Sequence, residues 1–326
     1  MFWACVALVP VVAINIFTLI ADVQAGAFAF TLLTGVAYQY FVLPFAGVVG
    51  WLLVSQRYVR IERVLAVLPF IFLAYGASAV LARADWGLVA RAIVLPQFHF
   101  NAAFVGAALA LLGTTLTAYV YMWESIEVPE RAPGLAQLGT VKKKATLGMA
   151  FETLTFLFIL VATGATLGKH HITVFTAADA ALALKPLAGS WASTLFAFGL
   201  LGSALVAVPV IAGTTGYVAA HTFGWPGTLN STFRDASAFY VVILSALALS
   251  AAICFAGFSL IPLLYGASLA AGLATPVTLF LTVRLARDNI TMGSHRIGPW
   301  LAGAGWTVTA IMSIASVLYL IFLSRP

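Results

Sequence analysis

Charge is what this sequence has least of: 8% of its 326 residues are Asp, Glu, Lys or Arg, against 63% hydrophobic, and mean hydropathy is +1.06. A chain so poor in charge cannot clothe a globular core in a water-compatible surface, which excludes a soluble domain. Cysteine is almost as scarce. Cys5 and Cys254 both lie in apolar stretches without metal-ligand spacing, so neither a disulfide framework nor a zinc site is expected. A His-Glu-x-x-His helix, a Gly-x-Ser-x-Gly elbow and a phosphate-binding glycine loop are missing too, which argues against an enzyme. The histidines His99, His170, His171, His221 and His295 fall mostly in predicted loops or helix ends, a poor arrangement for paired haem ligands. No permanently bound cofactor is expected. The net charge of +6 does not point to nucleic acid, because the basic residues sit in short loops between apolar segments, where membrane topology places them.

What the chain has is apolar spans. Segments of about 20 residues, enough to cross some 30 Å of hydrocarbon, recur along its whole length. They predict an all-α integral membrane protein, a single polytopic domain over residues 1–326 in the lipid bilayer, with helices near 2–32, 36–54, 61–82, 102–123, 145–168, 189–221, 237–257, 259–285 and 299–323. Of the sixteen Lys and Arg residues, the loops on one side hold Arg57, Arg60, Arg63, Arg131, Lys142 to Lys144, Arg234, Arg284, Arg287 and Arg296. The other side holds Arg83, Arg91, Lys169, Lys185 and Arg325. Basic residues favour the cytoplasmic face, so the protein is expected in the inner membrane with its amino end cytoplasmic and its carboxyl end outside. The first helix begins at Met1 with no charge or cleavage site before Asp22, which reads as a chain entering partway through a larger bundle rather than as a signal peptide.

Ionisable groups inside spans cost about 3 kcal/mol or more, so each is a functional candidate. Asp22, Glu124, Glu152 and His221 are the candidates, each with a structural alternative: an interhelical hydrogen bond for Asp22, a solvated helix end for Glu124, a capping role for His221. For Glu152, two turns inside its helix, the choice is a wet cavity or a protonated carboxyl. The stretch "GTTLTAYVYMWES" raises the sharper question, since Gly113 is followed by Thr114, Thr115 and Thr117 in the middle of a span. Small and hydroxyl residues can serve close helix packing and back-bonding to the preceding turn. They can also mark a broken helix whose freed carbonyl oxygens bind a hard cation near the bilayer centre.

"LGTTLTAYVYMWESIEVPE" resembles the sixth-helix signature of the NRAMP divalent-metal transporters, in particular a divergent bacterial NRAMP-related branch. "INIFTLIADVQAG" is similar to their third helix, "VSQRYVRIERVLAVLPFIFLAY" to the fourth-to-fifth connection, and "IPLLYGASLAAGLATPVTLFLTVRLARDNITMGSHRIG" to the tenth helix and its loop. The resemblance implies a LeuT-type fold of inverted repeats, with these nine helices matching the third to eleventh. Residues 1–85 would then be the remnant of the first repeat, 95–286 the second, and 299–323 an additional helix. The family's Asp-Pro-Gly-Asn metal motif does not occur in this sequence.

Where the family places Ala, two residues, then Met-Pro-His, this chain has Thr114, two residues, then Thr117, Ala118 and Tyr119. By resemblance Thr114 offers its carbonyl, Thr117 replaces the soft thioether, and Glu124 matches a second histidine of that helix. A hydroxyl in place of sulfur suits hard ions, so Mg²⁺ or Mn²⁺ is the expected substrate. Asp22 aligns with an acidic residue of the family's proton route, but the next acidic position is Ala25 and the ninth-helix basic residues have no counterpart, so transport without proton coupling is expected. The functional expectation is therefore divalent cation transport by alternating access. The alternative is a transport-inactive membrane scaffold or partner subunit, and nothing in the sequence names a partner chain.

Overall fold

The computed structural model describes residues 2–55, 67–131 and 138–324, with side chains of the first helical turns and of 127–131 left aside. Arg57, Arg60, Arg63 and the first part of the helix expected at 61–82 lie outside the described residues, as does Arg325. The described residues are helices joined by loops and turns, with no strand among them. Among the described residues seven stretches are long and apolar enough to cross a membrane and two shorter apolar helices accompany them, in the order of the nine expected segments.

The main helices are α1 (Phe2–Thr34), α2 (Gln39–Val54), α3 (Leu73–Leu81, entered through a 3₁₀ turn), α4 (Trp86–Val94), α5 (Ala102–Thr115) and α6 (Ala118–Arg131). They continue with α7 (Leu138–Thr163), α8 (Ala192–Phe223), α9 (Ser237–Cys254), α10 (Leu260–Arg287) and α11 (Pro299–Leu323). Helix α1 stops where Gly35 takes a left-handed φ of 75° and its N–H caps the Thr31 carbonyl at 2.8 Å.

Three boundaries differ from expectation. Helix α4 forms in a segment read as loop, started by Asp85, whose Oδ1 accepts the Leu88 N–H at 3.0 Å. Helix α6 runs to Arg131, so Glu124 stands within it rather than closing it. Helix α7 begins at Leu138, which puts Lys142 to Lys144 on helix rather than loop. In both cases charged residues taken for a solvated connection continue a helix beyond the apolar stretch.

Helix α1 is the centre of the bundle, packed against α8, α9, α10 and α2. Its neighbours bury an aromatic group in which the rings of Trp123 and Tyr217 lie 6.2 Å apart and those of Tyr217 and Phe239 5.1 Å apart. Two hydroxyls there pin the loop between α8 and α9: Leu229 N–H donates to Tyr217 Oη at 3.1 Å, and Tyr240 Oη donates to the Ser231 carbonyl at 2.8 Å. The outward faces carry large apolar side chains such as Leu43, Trp51, Val277 and Ile314, each more than half exposed. In water such a surface would drive aggregation; in lipid it costs nothing, and the chain is an integral membrane protein.

Candidate metal site

The span expected at 102–123 is interrupted. Helix α5 ends at Thr115, Leu116 takes φ −111° and ψ 31°, and α6 starts at Ala118. The local sequence explains why a break is tolerated here. Thr114 and Thr115 donate their hydroxyls to the carbonyls of Leu111 and Leu112 at 2.8 and 3.1 Å. The buried Thr117 hydroxyl reaches two carbonyls, Gly113 at 3.0 Å and Thr114 at 2.9 Å. Side-chain oxygens thus occupy carbonyls at the point where the backbone ladder is interrupted, the substitution that permits irregular backbone inside a bilayer. The Leu116 carbonyl takes a bond from outside the segment, 3.2 Å from the hydroxyl of Thr275 on α10.

The break opens on a cavity of about 240 Å³. Helix α1 contributes Thr18 and Asp22 to its wall, the broken pair contributes Thr114, Thr117 and Tyr119, α8 contributes Ser203 and α10 contributes Ser268. Hydroxyls, peptide carbonyls and one carboxyl group make this an oxygen environment, matched to hard cations rather than soft ones. Among the described residues no group of three or more His, Cys, Asp or Glu side chains comes together, so a thiolate or multi-histidine site is not what this arrangement offers. A larger cavity of about 470 Å³, between Pro10, Ile14, Tyr121, Val277 and Leu281, is lined almost wholly by carbon and suits no ion.

Of the residues singled out from sequence, Asp22, Thr114, Thr117 and Tyr119 meet at this cavity. Glu124 on α6, Glu152 on α7 and His221 near the end of α8 are exposed and stand outside its wall. Sequence reasoning missed Thr18, Ser203 and Ser268. It also missed Asn15, 1% exposed, whose side-chain nitrogen donates to Thr215 Oγ1 at 3.1 Å. The signal was present for α1, since Asn15, Thr18 and Asp22 recur at steps of three and four and so share one face of the helix. Two atoms on that face, Asn15 Oδ1 and Thr18 Oγ1, are buried without a hydrogen-bond partner. For Ser203 and Ser268 the sequence offered only isolated serines in apolar helices.

With this geometry in hand, comparison with known proteins is informative. The family model described as "Natural resistance-associated macrophage protein-like" matches residues 1–322. The chain belongs to the Nramp family. Among curated relatives, the "Divalent metal cation transporter MntH" of Deinococcus radiodurans is 30% identical over 268 residues, covering 75% of this chain and 60% of that protein. The chain thus spans about three fifths of the length of this relative. A crystal structure of the Eremococcus coleocola manganese transporter, in complex with an aromatic bis-isothiourea substituted compound, superposes with a TM-score of 0.65 at 17% identity, over 98% of this chain and 70% of that one. Structures of mutant forms of the same transporter match over the same shares with a TM-score of 0.61. At that identity the likeness speaks for the fold, and this Nramp chain has the LeuT-type helical fold its sequence resembled.

Proposed function

We propose that this Nramp protein moves a divalent cation across the membrane by alternating access, with Mg²⁺ and Mn²⁺ favoured over softer ions. The observation that carries the reading is the pair of oxygens at the break. The Thr114 carbonyl and the Thr117 hydroxyl lie 2.9 Å apart on a cavity wall. In an octahedral shell with metal–oxygen distances of 2.0–2.1 Å, adjacent ligands stand about 3.0 Å apart. The two oxygens therefore already have the separation of neighbouring ligands of a small dication. The Thr117 proton need not block the ion, because the Gly113 carbonyl at 3.0 Å offers it a second acceptor. With the proton turned there, the Thr114 carbonyl and the hydroxyl lone pairs face the cavity. Asp22 supplies a carboxyl group, and the cavity has room for several of the waters that Mg²⁺ retains.

Alternating access would move the α5–α6 break against the bundle formed by α1 and α8. Glu124, Glu152 and His221 would belong to the route to or from the cavity rather than to the ion's ligand shell. With Ala25 one turn after Asp22 on α1, we expect uptake without proton coupling. We place the amino end in the cytoplasm, to be checked by impermeant labelling of single cysteines in the loops.

The test is uptake of Mg²⁺, Mn²⁺ and Cd²⁺ into proteoliposomes, with a pH-sensitive dye inside. Saturable Mg²⁺ or Mn²⁺ uptake without acidification is expected, and Thr117→Met should shift preference toward Cd²⁺ by adding a thioether. A wild-type protein that strongly prefers Cd²⁺ overturns the ion assignment. One that neither binds nor moves any dication overturns transport altogether and leaves a membrane scaffold.

A further inference from the structure

Helix α10 meets the break, and is itself tied to α11, at one depth through three separate devices. At the first, Gly113 of α5 lies against Ser268 and Gly272 of α10, and Gly272 lies against the Leu109 carbonyl, so the two backbones touch with no side chain between them. At the second, Pro276 leaves the Gly272 carbonyl without its helical N–H, and Ser316 of α11 stands 3.5 Å from that oxygen. At the third, Thr275, 1% exposed, shares its hydroxyl proton between the Ala271 carbonyl at 2.8 Å and the Leu116 carbonyl at 3.2 Å. One turn further, Tyr121 of α6 and Thr278 of α10 hydrogen-bond through their hydroxyls. The bare-backbone contact sets how near α10 comes to the break, while Thr275 alone reaches a carbonyl inside it.

The two acceptors of Thr275 are not equivalent. The Ala271 carbonyl keeps its ladder bond from the Thr275 backbone N–H whatever the side chain is, because Thr275 lies within α10 and only Pro276, the next residue, lacks a donor. The Leu116 carbonyl has no such backup, since it belongs to the residue at which the α5 ladder stops. Removing the hydroxyl therefore acts on Leu116 and leaves α10 itself intact. Leu116 joins Thr114 and Thr115 to Thr117, so the direction of its carbonyl sets the peptide plane that carries Thr117.

We propose that Thr275 is a positioning residue for the ion site: by donating to the Leu116 carbonyl it holds the break in the register that keeps the Thr114 carbonyl and the Thr117 hydroxyl side by side. It touches no ion. Its effect is to pre-arrange two ligands that an unheld loop would have to organise at the moment of binding.

This inference rests on the transport reading given above, and the experiment separates the two. The whole protein in lipid nanodiscs is titrated with Mn²⁺ and Mg²⁺ by calorimetry, then reconstituted for uptake, as wild type, Thr275→Val, Thr275→Ser and Thr278→Val. Valine keeps the volume and removes the proton; serine keeps the proton. One hydrogen bond of ordinary net strength corresponds to about a five- to tenfold change in affinity. Expected, then, is a five- to tenfold weaker dissociation constant and KM for Thr275→Val, with maximal rate within about twofold and with wild-type affinity restored in Thr275→Ser. Thr278→Val, which removes the contact with Tyr121 and a back-bond to the Thr275 carbonyl at 3.0 Å but leaves the Thr275 hydroxyl in place, should bind as wild type does. Equal affinity in Thr275→Val and wild type overturns the positioning role, and so does a loss shared equally by Thr275→Val and Thr275→Ser. If the wild type binds neither ion, it is the transport reading that fails.

Discussion

Consider Gly272→Ala at the place where α5 and α10 touch. A Cβ added at Gly272 would stand 3.0 Å from Leu109 Cγ and nearer still to the Leu109 carbonyl oxygen. Comfortable separations between such atoms are about 3.5 Å, and the obstacle is backbone, which cannot swing aside as a side-chain end can. The helices must part by roughly 0.5–1 Å, and overpacking of that kind costs about 1–3 kcal/mol. The intrinsic helix preference of alanine over glycine returns up to about 1 kcal/mol, so the net effect is a loss. Gly148 on α7 supplies the matched control, because a Cβ there meets nothing within 4 Å and only the propensity gain remains. Thermal unfolding in detergent, followed by the loss of monodisperse protein on size exclusion, should show Gly272→Ala melting several degrees below wild type and Gly148→Ala at or above it. Parting the helices also stretches the 3.2 Å contact between Thr275 and Leu116, so dication affinity should fall with stability. Equal melting temperatures for the two alanine variants would refute the claim that bare backbone contact sets the α5–α10 distance.

Thr114→Ala should leave dication affinity within about threefold of wild type, because the ligand proposed there is a main-chain carbonyl; a loss as large as that of Thr117→Val would move the ligand to the side chain. Ser78→Ala should destabilise the α3 contact by about 1–3 kcal/mol, since Ser78, 0% exposed, donates to the Ala183 carbonyl at 2.6 Å and alanine leaves that oxygen buried without it; unchanged unfolding refutes this. Asp288, beyond the end of α10, caps the turn Asn289–Met292 by accepting the Thr291 hydroxyl at 2.7 Å and its N–H at 2.9 Å, and these bonds hold its carboxyl below the usual carboxylate range. A depressed pKa gives stabilisation that is present above the unfolded value and is lost as pH falls through the folded one, so amide exchange of Thr291, corrected for intrinsic rate, should stay flat from neutral pH to about 5 and rise only below about 4. A transition near neutrality would refute the cap.

Much of this architecture was legible in the sequence because lipid sorts residues by one property. Apolar runs of spanning length identified the nine segments, and the glycine and threonines at 113–117 raised a break as one of two readings; the same Gly-Thr-Thr run at 213–215 lies in the unbroken α8, so the run by itself does not decide between close packing and a break. Where charge was read as loop, the reading failed, because α6 and α7 carry Glu124, Arg131 and Lys142 to Lys144 past the apolar stretch while remaining helical. Trp86–Val94 escaped because a short helix on the surface needs a cap rather than a span, and Asp85 was the signal.

The contacts that shape the site were illegible for a different reason. A threonine in a membrane helix ordinarily spends its hydroxyl on its own preceding turn, as Thr214, Thr215 and Thr222 of α8 do at 2.7–2.8 Å, and nothing local separates those from Thr275. Thr275 makes the same bond, to Ala271, and becomes different only because a carbonyl 159 residues away has lost its ladder partner within reach. Hydroxyls on an intact helix have all their neighbouring carbonyls already served by N–H groups, so they add little. At a break the carbonyls are unserved, and the same side chain acquires a structural consequence. The sequence marks where a break can form; whether it forms, and which distant hydroxyl then finds the freed oxygen, is decided by packing, here by two glycines that let α10 close on α5.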